Sequence, residues 1–297
     1  MAGRQHWVIT AQQAHQAGLT VAEIMTRVRR REWRKLFRGV YLVDPDLYSG
    51  GCLPFHTMVS AGLLAAGPRA VAVLATSATL LGLPSVGDEA AVHVAVPGPA
   101  ARHNQNGLVV HQMRIPVRQQ LAIDGLRCTT ALRTVADAAC CLPRWEAVSL
   151  IDAALNKRLI DPADLVTAAA LMARRPGCVA GRRYLAEADG RAQSPGETRV
   201  RLICADAGMT PDALQHPVRD RHGVILGYAD LAWLAARVAV EVDGADPHSH
   251  PVAVFRDRFR QNDFTLAGWR IVRFTWADTF RPGYVTSVLR SALSSRS

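Results

Sequence analysis

The sequence predicts a multi-domain α/β protein, and three observations carry that reading. The chain has 297 residues, enough for two or three domains. It is 49% hydrophobic and 20% charged, so it can bury sizeable cores. Helical and strand patterns alternate along it, with a polar Gly/Pro/Ser break at 190–196. Three regions follow: a helical head ending in a β-ribbon over 1–50, a mixed α/β region over 51–189, and a domain of order α-β-β-β-α-β over 190–297.

In the head, Thr10 can cap a helix over 11–17 that Gly18 stops. Thr20 can cap a second helix, with Ala22, Ile24, Met25 and Val28 on its apolar side. A third, basic helical element is expected over 29–37. A glycine turn then opens a strand through Tyr41 and Leu42. Helix, helix, basic helix and ribbon is the order of a winged helix-turn-helix. Between Arg27 and Arg38 the chain places Arg27, Arg29, Arg30, Arg31, Arg34, Lys35 and Arg38 against one acid, Glu32. In that context the run is expected to meet DNA phosphates. The bland alternative is a solvated face.

The middle region reads as a helix over 56–66, strands at 92–96 and 108–110, and helices over 131–140, 144–157 and 162–173, the last opened by Asp161 and Pro162. It offers no catalytic constellation and is expected to connect, pack or bind a partner.

In the C-terminal region, Ser194-Pro195-Gly196-Glu197 is a capping-box signature that starts a helix to about residue 207. Strands are expected at 215–219, 224–233, 238–243 and 269–275, with helices over 252–266 and 285–293. This is the core order of the restriction-endonuclease-like fold.

Formal net charge is +10, which favours polyanionic partners. Lys35 and Lys157 are the only lysines, so the positive charge is almost all arginine, whose planar fork grips phosphate. The six cysteines form no CxxC pair and read as small buried hydrophobes in a reducing compartment. The N-terminus lacks a signal-peptide apolar run. The longest uncharged apolar stretch, 70–84, is too short for a membrane span and is interrupted by Thr76, Ser77 and Thr79. A cytoplasmic location is expected.

Phosphodiester hydrolysis needs an activated water and a sink for charge on phosphate, and a divalent ion held by carboxylates supplies both. Mg²⁺ needs few protein oxygens because it keeps several waters. Asp230 lies on one expected strand and Glu241 on the next, joined by the short connection 234–237. Glu241 and Asp243 share one strand face while Val240 and Val242 take the other. Such acids face solvent, arginine or metal. Asp230, Glu241 and Asp243 are therefore the expected metal ligands, with Asp243 also fit to shape a turn before Gly244. Glu197, with Val200 and Cys204 at helical spacing, points toward the core side and joins the catalytic set. His248 and His250 follow in the next loop, and a histidine is the available base if a side chain activates the water. Beyond them Phe255 and Phe259 can anchor a helix that leaves Arg256, Arg258 and Arg260 outside for phosphate.

The runs Ser194-Pro195-Gly196-Glu197, Gly227-Tyr228-Ala229-Asp230, Val240-Glu241-Val242-Asp243-Gly244 with His248, Phe255-Arg256-Asp257-Arg258, and Gly268-Trp269-Arg270-Ile271-Val272-Arg273-Phe274 resemble a family of bacterial proteins similar to very-short-patch-repair endonucleases. The resemblance covers 190–297. It implies the PD-(D/E)XK superfamily, Mg²⁺ (or Mn²⁺) as cofactor and DNA as substrate. Asp230, Glu241 and Asp243 match its acidic positions, and His248 resembles the histidine that replaces lysine in the repair enzymes. Two departures stand out. The place two residues after the second acid, commonly lysine in this fold, is Asp243, and no cysteine cluster is present for the repair enzymes' structural zinc. Gly18-Leu19-Thr20 and Trp33-Arg34-Lys35-Leu36-Phe37-Arg38-Gly39-Val40-Tyr41 resemble the winged-helix head of AbiEi-type antitoxins, which implies DNA binding and repression. The leading expectation is a metal-dependent DNA endonuclease targeted by a winged-helix head. The alternative is a non-catalytic DNA-binding regulator or type IV antitoxin. No membrane is expected as a partner; a toxin protein or a second copy of the chain are the partners considered besides DNA.

Overall fold

The computed structural model describes residues 2–44, 53–84, 91–98, 104–243 and 262–294. The protein is mixed α/β and forms two compact units, Met1–Leu142 with Val166–Pro176, and Pro143–Leu165 with Gly177–Ser297.

The first unit begins with β1 (Val8–Thr10), α1 (Ala11–Gln16), α2 (Val21–Arg29), β2 (Arg34–Phe37) and β3 (Val40–Leu42). Both helices start as the sequence indicates, each in a capping box: Thr10 with Gln13, and Thr20 with Glu23. The expected third helix is absent from this stretch. Arginine and lysine are good helix formers, but here tertiary packing prevails. The chain turns at Arg31 (φ 62) and buries Trp33 against Tyr41, ring centroids 5.9 Å apart. β2 then pairs antiparallel with β3, which buries Phe37 and leaves Arg34 and Lys35 exposed. The strand order is β1-β3-β2.

The rest of this unit comprises α3 (Phe55–Ala66), β4 (Val71–Ala72), α4 (Leu74–Leu80), β5 (Val92–Val96), β6 (Leu108–Gln112), β7 (Gln120–Ile123), β8 (Leu126–Thr129) and α5 (Ala131–Cys141). The five strands form one sheet of order β6-β5-β4-β8-β7. A single hydrophobic cluster holds Val8, Phe37 and Val40 of the head together with Val59, Val94, Leu108 and Leu126. The head also has a cluster of its own, Ile9, Ala14, Ile24, Trp33 and Tyr41. The fully buried Asp137 of α5 is met by Arg133 Nε at 2.8 Å and by Arg175 Nη2 at 2.7 Å. That second arginine is how 166–176 joins this unit.

The second unit contains α6 (Arg144–Asn156), α8 (Cys178–Ala186) and α9 (Pro195–Asp206), while α7 (Asp164–Leu171) begins in it and continues from Val166 in the first unit. Four strands follow: β9 (Ala213–Arg219), β10 (Ile225–Trp233), β11 (Val238–Asp243) and β12 (Arg270–Thr275), and α10 (Pro282–Ser294) closes the unit. Of the helix expected over 252–266, residues 262–266 are helical and the others lie outside the described residues. Helix α6 belongs here because its buried Asp152 accepts from Asp189 N (2.6 Å), Thr198 Oγ1 (2.8 Å) and Arg201 Nη2 (2.8 Å).

Strand β10 pairs antiparallel with β9 and with β11, and β12 runs parallel to β11, giving the order β12-β11-β10-β9. On one face Leu231, Val240 and Phe274 pack with Val200 of α9 and Leu289 of α10. On the other, Ala229, Ala232 and Ala239 pack with Phe264. Among the described residues no helix is long and apolar enough to cross a membrane.

Candidate functional site

Helix α9 sets the first acid. Ser194 Oγ accepts from Glu197 N at 3.2 Å, the helix-starting half of the expected capping box. The return bond differs. The Glu197 carboxylate accepts from Gln193 N at 2.9 Å, one residue before the cap. Glu197 is only 7% exposed, so it points inward as its helical spacing predicts. Gly196 beside it allows α9 to approach the sheet, since a Cβ there would lie 2.8 Å from Val242 Cγ1.

The second acid stands at an irregularity in the sheet. Leu214 and Leu231 pack on the α9 face, whereas Val218 and Ala229 pack on the Phe264 face. The change of face in β9 and β10 falls around Gln215 and Asp230. Gln215 has φ 50, a left-handed conformation that costs a non-glycine residue about 1–3 kcal/mol. Such strain persists where the surroundings hold the residue in place. Here Gln215 Nε2 donates to Glu197 Oε2 at 3.0 Å and to Asp230 Oδ1 at 3.1 Å. Asp230 Oδ2 accepts from Val242 N at 2.8 Å, where β10 and β11 cease to pair after Leu231 and Val240.

One amide nitrogen thus holds two carboxylates. Burial, and then the neighbouring negative charge of Asp230, push the Glu197 carboxyl above its usual range. This gathering fits a hard cation. The donors are carboxylate oxygens, and their mutual repulsion is the energy a divalent ion would remove. Glu197 and Asp230 would hold such an ion, with waters in its remaining positions.

Glu241 follows Val240 as Asp230 precedes Leu231, so the hairpin register brings these two acids to neighbouring strands. Glu241 is 3% exposed, and Arg273 Nη2 lies 2.8 Å from its Oε2. The two residues are register partners in the parallel pair β11–β12. Arginine is therefore the neighbour described for this acid. Asp243, at the end of β11, is exposed. Among the described residues no three His, Cys, Asp or Glu side chains form a group able to hold a metal by themselves. His248, His250, Arg256, Arg258 and Arg260 lie outside the described residues.

Two members of this site escaped sequence reading. Gln215 has no motif, and its role follows from a backbone conformation no pattern reveals. Arg273 was legible only as part of a strand alternation, because parallel register decides which acid it meets.

In the head, Arg29, Arg30, Arg31, Arg34, Lys35 and Arg38 are exposed. Arg27 is half-buried, 3.4 Å from Glu32 and 5.7 Å from the centroid of the Trp33 ring.

The architecture defines a two-unit mixed α/β protein with a cluster of acids at one place on its C-terminal sheet. No family model matches the chain. It is 32% identical over 272 residues to the uncharacterized protein Rv2248 of Mycobacterium tuberculosis strain ATCC 25618 / H37Rv, covering 89% of this chain and 94% of that protein. The uncharacterized protein MT2308 of M. tuberculosis strain CDC 1551 / Oshkosh matches to the same extent, 32% over 272 residues. The chain belongs to the family of these two mycobacterial proteins.

Proposed function

We propose that the second unit is a Mg²⁺- or Mn²⁺-dependent DNA endonuclease of the restriction-endonuclease-like type, and that the winged-helix head of the first unit contacts DNA. The observation that carries this reading is the pair Glu197 and Asp230, held together by the Gln215 amide, with Glu241 beside Asp230 in the strand register. They come from α9, β10 and β11 of a unit whose sheet has three antiparallel strands and a fourth parallel to the third. A surface meant only to attract DNA gains nothing from grouped acids.

Glu197 and Asp230 would hold the ion, which when bound supplies a charge sink and a more acidic water. Gln215 orients both carboxylates through its amide. Arg273 fixes the direction of the Glu241 carboxylate. Asp243 is available to the same ion or its waters. His248 is the proposed base, and Arg256, Arg258 and Arg260 are proposed phosphate contacts. In the head, Arg27 and its exposed neighbours Arg29, Arg30, Arg31, Arg34, Lys35 and Arg38 would contact the DNA backbone.

A non-catalytic DNA-binding regulator is the second reading. Two observations favour it: Glu241 is already engaged by Arg273, and Asp243 stands where this fold commonly has lysine. Nicking of supercoiled plasmid by the full chain, with Mg²⁺ or Mn²⁺ and with chelator as control, separates the two. Metal-dependent nicking is expected. If duplex, mismatched and single-stranded DNA all stay intact while the protein binds them, the regulator reading replaces the enzyme.

A further inference from the structure

The first unit contains an arginine-lined groove that the last arginine of the head's basic run, Arg38, shares with residues remote from that run. A cavity of about 1030 Å³ is walled by α1, the turn between β2 and β3, α3 and the turn between β7 and β8. Arg4, Arg38 and Arg127 line it, with Asp124 as the one acid among its lining residues. Its walls are tied by Ser60 Oγ donating to Gln5 O (2.8 Å) and by Arg38 N donating to Gln105 Oε1 (2.7 Å). Only the backbone of Arg38 is used there, so its guanidinium is left for the groove.

A second cavity, of about 710 Å³, is lined by Arg69, Arg114 and Arg127, and among the described residues no acid lines it. Arg127 belongs to both cavities, and donates from its guanidinium to Pro68 O. Arg69, Arg114 and Arg127 are exposed, and among the described residues no carboxylate lies in ion-pair contact with any of the three. Five arginines thus border two concave surfaces that share a wall, against a single carboxylate. That carboxylate, Asp124, has His56 Nε2 3.6 Å from its Oδ2.

Concave walls of low polarisability raise the field of like charges, and planar guanidinium forks match phosphate oxygens. The side chains of Gln12 and Gln16 on α1 are exposed in the first cavity and add neutral donors for sugar or phosphate. Arg38 and Gly39 of the turn between β2 and β3 border this groove, so the head's basic run reaches it through Arg38.

We propose that this double groove is a second DNA-backbone site, and that the middle sheet holds the DNA whose adjoining stretch meets the head. The proposal rests on the DNA-binding reading above and extends it to residues 69, 114 and 127. It gives the five-stranded sheet a function: to hold arginines from β8, from the loop before β4 and from the segment after β6 at fixed spacing.

The test is the salt dependence of duplex DNA affinity for the full chain and three variants: Arg69→Ala with Arg114→Ala, the same pair changed to Lys, and Arg30→Ala with Arg34→Ala. Each lost phosphate contact should lower the log–log slope by about 0.9. The groove alanine pair is expected to lower it by about 1.8, with an unchanged thermal melt, and the lysine pair to restore most of it. An alanine pair with the wild-type slope, beside a head variant whose slope falls, overturns the groove while DNA binding stands. A wild-type chain that binds no DNA at low salt overturns both.

Discussion

The two units differ most in how they place charge. The first carries 16 Lys and Arg against 8 Asp and Glu, a net of +8 out of the chain's +10; the second carries 19 against 17. In the first unit basic groups line concave surfaces and a β-ribbon, and the one fully buried acid among its described residues, Asp137, is clamped by Arg133 and Arg175. In the second, acids are the organising groups: Asp152 ties α6 to α9, Gln215 joins Glu197 to Asp230, and Glu241 is paired with Arg273. Under the proposed function this difference is a division of labour. Long-range attraction to a polyanion needs net charge spread over a surface. Chemistry on phosphate needs negative groups brought together, and a near-neutral unit can hold them without repelling the whole substrate.

The largest effect that would sharpen this comparison is on cleavage. Asp230→Asn should lower metal-dependent plasmid nicking by at least about 10²-fold, because the ion loses a charged ligand. Asparagine retains an acceptor for Val242 N, so circular dichroism should be unchanged. Equal nicking by wild type and variant would move the active site elsewhere.

Next in size is stability. Asp152→Ala leaves Arg201 buried without its partner and should cost about 3–5 kcal/mol, read by denaturant unfolding. Replacing Asp152 and Arg201 together by Leu and Met should recover much of that loss. If the single change costs under about 1 kcal/mol, Asp152 does not hold α6 to α9.

A smaller effect depends on pH. In chelator, Glu197 has a folded-state pKa above its unfolded one, because of burial and then Asp230. The native state therefore binds the extra proton, and stability falls as pH rises from the ordinary carboxylate range through the raised value. Glu197→Gln removes that loss. Its melting temperature relative to wild type should rise between about pH 4 and pH 7, and a difference that is flat or falls with pH would contradict the proximity of the two carboxylates.

The smallest effect concerns the other unit. Arg30→Ala with Arg34→Ala should change stability by under about 0.5 kcal/mol, since both side chains are exposed, while weakening DNA affinity at moderate salt. Large destabilisation would mean that the basic run serves the fold rather than a ligand.

Much of this architecture was legible in the sequence. Thr10, Thr20 and Ser194 each cap the helix their spacing announces. β11 begins and ends at Val238 and Asp243, as the alternation of valines and acids indicates. Less legible was the segment 29–37, where basic helix formers become a strand once Trp33 and Phe37 find buried places. Short elements such as β4 and α4 were hidden within an apolar stretch without periodicity, since a buried strand and a buried helix look alike there.

The sequence by itself determined which residue types are present and their local periodicity: the excess of arginine, the capping residues, and the placing of Asp230 and Glu241 on successive strands. Those follow from interactions within a few residues of each other, which spacing records. Only the tertiary structure decided that Arg273 is the register partner of Glu241, that a left-handed Gln215 bridges Glu197 and Asp230, and that Arg69, Arg114 and Arg127 border one groove. Each of these joins residues far apart in the chain, through strand register or through the packing of a shared core. Such contacts are set by the burial of the whole unit, and no local pattern carries them.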